Sequence, residues 1–361
     1  LSKIIAIGTA VPAYTHRQTD IHSFVEQVYA PDEAERRKLR FMYRQSGIEQ
    51  RHSVLSDYGR PAAEWKFFPA TEGLEPFPTL EQRMSVYHKQ APLLSVDAIR
   101  DCLQHRYDPR SITHLITVSC TGMSAPGLDL QVLELMGLRA DVFRTSVNFI
   151  GCYAALHALR LAQGLCASDS RARVLVVCTE LCTLHFQREA TPDNIASSLL
   201  FGDGSAAVLL VPDEAPEHGL RLEGFHSEVV PRGRRDMAWE LSSTGFLMTL
   251  SGYVPDLIEE DFRPIVERAL ARSGTSISSV SHWCLHPGGK RILDAVQKCV
   301  GMPEDALADS RAVLRANGNL SSATVLFVLK RMLERNEPIA KLFGAAFGPG
   351  LTVETFTASR S

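Results

Sequence analysis

The chain has 361 residues, of which 45% are hydrophobic and 22% charged. At ~150 residues per domain that is two domains or one duplicated fold, able to bury roughly three quarters of its unfolded surface without disulfide or metal support. Lysine and arginine total 38 against 41 acidic residues, a net charge of −3, which argues against a nucleic-acid binder.

In chain order, residues 4–7 read as a strand closed by Gly8, not as a signal peptide. Residues 20–44 carry helix-like apolar spacing and a basic run of Arg36, Arg37, Lys38, Arg40 and Arg44. Residues 56–78, rich in proline, glycine and aromatics, read as a surface excursion, and 81–103 as a helix. Alternation follows: strand 112–120, helix 129–138, strand 143–149, helix 152–163, and buried strands 174–178 and 206–211 around an irregular loop at 187–198. Residues 212–219 form a charged, proline-containing joint. Beyond it come strand 221–225, helix 256–273, strand 281–285, helices 290–299 and 321–335, and closing strands 341–347 and 351–356. This order predicts an α/β protein of two similar halves, 1–213 and 220–361, with central sheets covered by helices. No apolar run approaches the ~18 residues that span a bilayer, so a soluble, cytoplasmic protein is expected. The eight cysteines form no CxxC pair and fit buried reduced thiols.

Cys152 stands where strand 143–149 passes through Gly151 into a helix. A helix N-terminus stabilises a thiolate, so this thiol is a candidate nucleophile; a small core thiol is the plain alternative. His286 leaves the strand 281–285 toward Pro287-Gly288-Gly289, placing it as a general base or thiolate partner, or as a structural histidine in a tight turn. Asn319 precedes a long apolar helix, where it can cap the helix or donate to an oxyanion. His282 is four residues from His286 along the strand, ~13 Å away, and reads as structural. Cys178, Cys182 and His185 lack a fourth ligand nearby, so no metal is assigned. There is no P-loop and no GxGxxG opening a helix.

Taken together, Gly151-Cys152-Tyr153-Ala154, Leu200-Phe201-Gly202-Asp203-Gly204, His286-Pro287-Gly288-Gly289, Gly318-Asn319-Leu320-Ser321-Ser322-Ala323 and Phe347-Gly348-Pro349-Gly350-Leu351 resemble, in order and spacing, the type III polyketide synthases of the chalcone-synthase-like branch. The resemblance implies the thiolase-like duplicated αβαβα fold. It implies Cys152 as the acyl-carrying nucleophile, His286 and Asn319 as its triad partners, and Phe201 as the aromatic between a CoA tunnel and the cavity. It implies acyl-CoA and malonyl-CoA as substrates, no other cofactor, and a homodimer. A thiolate–imidazolium pair is expected for Cys152 and His286. Arg37, Arg40 and Arg44 reproduce the i, i+3, i+7 spacing of the family's CoA-binding cations, and Gly288, Lys290 and Arg291 at the Gly-Gly turn add to that site; a solvated basic helix face is the plain alternative.

Cavity positions depart from the plant pattern. Cys182 and His185 replace smaller hydroxylated residues, Trp239 a glycine, Met248 a gating phenylalanine and Ala125 the methionine that closes the partner's cavity; Cys120, Thr121 and Ser321 complete the expected lining. These changes resemble bacterial members making alkylpyrones, alkylresorcinols, phloroglucinols or naphthols. A single-condensation β-ketoacyl synthase III-like enzyme, a non-catalytic thiolase-fold partner subunit and a Cys-His acyl-CoA hydrolase are the competing readings.

Overall fold

The computed structural model describes residues 1–30 and 32–360. Its strands are β1 (Ser2–Ala10), β2 (Tyr14–Arg17), β3 (Gln50–Ser53), β4 (His114–Ser119), β5 (Phe143–Asn148), β6 (Val174–Leu181), β7 (Asp203–Pro212), β8 (Leu220–Val229), β9 (Met237–Ser242), β10 (Gly245–Leu250), β11 (His282–Leu285), β12 (Ile339–Gly348) and β13 (Thr352–Arg360). Its helices are α1 (Gln18–Tyr29), α2 (Glu33–Gln45), α3 (Leu80–Leu103), α4 (Leu128–Met136), α5 (Ala154–Ser168), α6 (Pro192–Leu200), α7 (Val254–Ala271), α8 (Lys290–Val300), α9 (Ala308–Asn317) and α10 (Thr324–Glu334).

The expected sheets of the two halves are joined. Nine strands run in the order β11-β12-β13-β8-β1-β7-β6-β4-β5, and β1 is the seam. It pairs with β7 along most of its length but with β8 only through Ser2–Ile4. Side-chain alternation then sorts each strand's residues into layers. Val174, Val176 and Cys178 of β6 meet α5 and α10, whereas Leu175, Val177 and Leu181 meet α3 and α4. In the second half Leu342, Ala346 and Phe356 face α5 and α10, while Phe343, Ala345 and Val353 face α7 and α8. The result is five layers, α–β–α–β–α, with α5 and α10 sealed in the middle. Ala154, Ala155, Ala158 and Ala162 let α5 lie close to both sheet halves, and fully buried Leu156 and Leu159 contribute about 1.5–3 kcal/mol each.

Several expected elements are corrected. The 20–44 segment is two helices, because the Asp32 carboxylate accepts from the N–H groups of Ala34 and Glu35 and starts α2 afresh. The loop at 187–198 contains most of α6, begun by Thr191, whose hydroxyl accepts from Asn194 N–H, and by Pro192 in the first turn. Helix α9 and the β9–β10 hairpin have no counterpart in the sequence reading. No helix among the described residues is long and apolar enough to cross a membrane.

Candidate active site

Cys152 sits on the turn between β5 and α5. Phe149 and Gly151 take φ of 63° and 96° there, and a Cβ on Gly151 would lie 2.1 Å from Pro349 Cδ, so only glycine fits against the 349–351 turn. His286 directly follows β11, which carries it from the second half; its N–H donates to Ala345 O at 2.9 Å. Asn319 sits between α9 and α10, and its main chain clasps the end of α6. Asn319 N–H donates to Leu200 O (2.8 Å), and Asn319 O accepts from Gly202 N–H (3.0 Å). The side chain is oriented from behind: Oδ1 accepts from Ser321 N–H (2.9 Å) and Thr324 Oγ1 (3.2 Å). Nδ2 donates to Gly288 O at 3.3 Å and faces the Cys152 sulfur. Thus the two central helices, α5 and α10, each begin just after a site residue. Cys152, His286 and Asn319 line one pocket, with Phe201 at its wall.

Burial sets the protonation states. The Cys152 thiol is pushed up to about 12 by loss of hydration, with Glu180 adding to the rise and the hydrogen bonds from Ser321 and Asn319 opposing it. Burial brings His286, 1% exposed, down to about 3, and its Nδ1 has no partner among the described residues. Cys152 Sγ meets Ser321 Oγ at 3.5 Å; no hydrogen bond joins it to His286 among the described residues. Burial thus works against the expected thiolate–imidazolium pair at both partners, raising the thiol and lowering the imidazole. The helix begins two residues after Cys152, at Ala154, so the thiol lacks the full helix-terminus stabilisation expected for it.

The cavity wall is aromatic. His185 stacks on Phe246 (centroids 4.2 Å, 8°), and Trp239 meets both rings edge-on at 5.8 and 5.9 Å. His185 Nε2–H donates to Thr121 O (2.7 Å) and Nδ1 accepts from Phe246 N–H (3.1 Å), which fixes the tautomer; burial lowers this histidine to about 3. Trp239 Nε1–H donates to Cys120 O (2.6 Å), and Met248 pairs with Trp239 across the hairpin. Cys120, Thr121, Cys182, His185, Trp239, Met248 and Ser321 all line the pocket. So does Gly288.

Glu180 was missed. It stands one residue before the end of the apolar strand β6, fully buried, and accepts from Cys120 N–H (2.9 Å), Thr121 Oγ1 (2.8 Å) and Ser322 Oγ. Burial raises it to about 7. Its available signal was a lone carboxylate in a run of apolar strand residues. Asp203, from the Phe201-to-Gly204 motif, is structural: it accepts from Val54 N–H and from the N–H and hydroxyl of Thr183.

The basic residues stand apart from this pocket. Arg37, Arg40, Arg44, Lys290 and Arg291 are exposed and none lines it. Arg40 pairs with Glu26 at 3.6 Å. The Lys290 stem lies near Gly47, just beyond the end of α2, so α2 and α8 bring their cations to one side.

A five-layer duplicated sheet with a cysteine from the first half facing a histidine and an asparagine from the second defines a thiolase-type condensing enzyme. The sequence then identifies the branch: residues 1–214 match the N-terminal domain of chalcone and stilbene synthases, and residues 222–360 their C-terminal domain. The chain belongs to this family, the type III polyketide synthases, and is an acyltransferase of the condensing kind. PKS-I from the brown alga Ectocarpus siliculosus superposes with a TM-score of 0.93 at 26% identity, over 100% of this chain and 98% of that one. The C-terminal type III polyketide synthase domain of Steely1, a type I/III hybrid from Dictyostelium, gives 0.91 at 29% identity, over 99% of both chains. Probable polyketide synthase 1 of Dictyostelium discoideum is 30% identical across 98% of this chain, which spans 11% of that protein's length.

Proposed function

We propose that Cys152 takes an acyl group from a CoA starter and that the chain extends it with malonyl-CoA, then cyclises the product to a pyrone, resorcinol, phloroglucinol or naphthol. The observation that carries this reading is the oriented Asn319 amide beside His286 and Cys152 in one buried pocket. The sulfur attacks the starter thioester carbonyl, the bond from that carbonyl to the CoA sulfur breaks, and the neutral His286 imidazole carries the thiol proton to the leaving CoA thiolate. Malonyl-CoA then loses CO2, and the electron pair left behind forms an enolate whose oxygen accepts from Asn319 Nδ2 and His286. The enolate carbon attacks the acyl–Cys152 carbonyl, the carbonyl–Sγ bond breaks, and the released Cys152 thiolate takes up a proton from solvent. The apolar Phe201 wall disfavours the malonyl carboxylate and so favours its departure as CO2.

Arg37, Arg40, Arg44, Lys290 and Arg291 hold the CoA phosphates at the mouth, and no resident cofactor takes part. The protein acts as a cytoplasmic homodimer. The outer edge of β5, at the end of the sheet and carrying an exposed Phe143, supports such an association.

The test is malonyl-CoA with a panel of starter CoAs, read by mass spectrometry. Cys152→Ala is expected to abolish polyketide yet keep some malonyl-CoA decarboxylation, while Asn319→Ala loses decarboxylation by roughly two to three orders of magnitude, the usual effect of removing one oxyanion donor. Equal loss in both variants would sink the assignment, and product with a single malonyl unit would favour a single-condensation enzyme.

A further inference from the structure

Behind the pocket wall lies a cation that the condensation scheme does not use. Arg51, on β3, is 3% exposed, lines the pocket and forms no salt bridge among the described residues. Its hydrogen bonds go to neutral groups. Nη1–H donates to Phe201 O (2.6 Å) and Nε–H to Gln18 Oε1 (2.9 Å), while Nη2 is buried without a partner. Gln18, itself buried, turns its amide to Leu199 O (2.9 Å). Three successive carbonyls at the end of α6 therefore have assigned donors: Leu199 O takes Gln18, Leu200 O takes Asn319 N–H, and Phe201 O takes Arg51.

These are the carbonyls that a helix leaves open at its C-terminus, where a cation is also favourable. The same guanidinium stem is pressed against the neighbour of Asn319. Gly318 takes φ 69°, and a Cβ there would lie 2.8 Å from both Arg51 Cγ and Cδ and 2.6 Å from Leu200 O. Asn319 and Phe201 are bridged through their main chains, so the side chain that supports one supports both.

We infer that Arg51, held by Gln18, is a positioning residue that sets the Asn319 amide through the main chain it shares with the end of α6. This rests on the proposed role of Asn319 in decarboxylation. A helix-end staple alone would affect stability; a positioning residue acts through Asn319 and is silent once Asn319 is gone.

The experiment measures the malonyl-CoA decarboxylation kcat and KM, and the extent of Cys152 acylation by a starter CoA. It uses the full chain as wild type, Arg51→Met, Arg51→Lys, Gln18→Leu, Asn319→Ala and the double variant Arg51→Met with Asn319→Ala. Arg51→Met is expected to lower kcat by about tenfold or more with KM nearly unchanged, Arg51→Lys to recover part of it, and Gln18→Leu to lose less. In the Asn319→Ala background Arg51→Met is expected to remove less than about twofold further. The same loss in both backgrounds, or full activity of Arg51→Met, overturns the inference. If Arg51→Met does not fold, Arg51→Lys and Gln18→Leu complete the same cycle against Asn319→Ala. A wild type that acylates Cys152 but does not decarboxylate malonyl-CoA defeats the reading of Asn319 itself, whatever the Arg51 variants do.

Discussion

Glu180→Gln tests whether a buried carboxylate beside the nucleophile is held neutral by its surroundings. Glu180 ordinarily titrates at 4.5 and is raised to about 7 here, chiefly by burial. Between those values the folded protein keeps a proton that the unfolded chain has released, so stability falls as pH rises. At about 1.4 kcal/mol per unit, the cost grows from zero below pH 4.5 to about 3 kcal/mol above pH 7. Glutamine keeps an oxygen for Cys120 N–H and Thr121 Oγ1 and an amide that can donate to Ser322 Oγ, so it mimics the protonated acid. Its altered hydrogen bonds add an offset of about 1 kcal/mol that does not vary with pH. Asp203, raised to about 6 by burial, is common to both proteins and cancels in their difference. The assay is denaturant unfolding of both proteins at fixed pH values from 4.5 to 8. Glu180→Gln should gain on the wild type by about 1.4 kcal/mol per unit up to pH 7 and then level off. A difference that stays constant across that range would refute the argument.

Two further outcomes concern the cavity. Cys152 should be the only pocket thiol acylated by starter CoA, because its sulfur stands beside Ser321 and Asn319 while Cys120 is tied to Gly151 N–H at 3.0 Å; intact-mass and peptide mapping would expose an adduct on Cys120 or Cys182 instead. Trp239→Gly should admit bulkier starters or an additional extension, at a loss of about 1 kcal/mol for the bond to Cys120 O alone. Normal acylation with an unchanged product profile from the same starters would show that the indole does not limit the cavity.

What could be read from the sequence follows from where the signal resides. Strands β6 and β7 show as β-branched runs because both faces are buried, and Cys152, His286 and Asn319 show because each leaves a regular element beside glycine. Helix α6 is obscured because only Ile195 on it is buried, although Thr191-Pro192 was a start signal. The β9–β10 hairpin lacks Asn-Gly or Asp-Gly at its Ser243-Thr244 turn, and its strands are only partly buried. Arg51 and Gln18 could not be read at all, since their partners are backbone carbonyls some 150 and 181 residues away along the chain.

The raised Cys152 thiol bears on how the protein survives between turnovers. Oxidants and alkylating agents react with thiolate, and a thiol at about 12 presents on the order of one thiolate in 10⁵ molecules at neutral pH. Under the proposed mechanism the sulfur would be kept mainly as thiol at rest and would lose its proton to His286 only as it attacks the starter carbonyl.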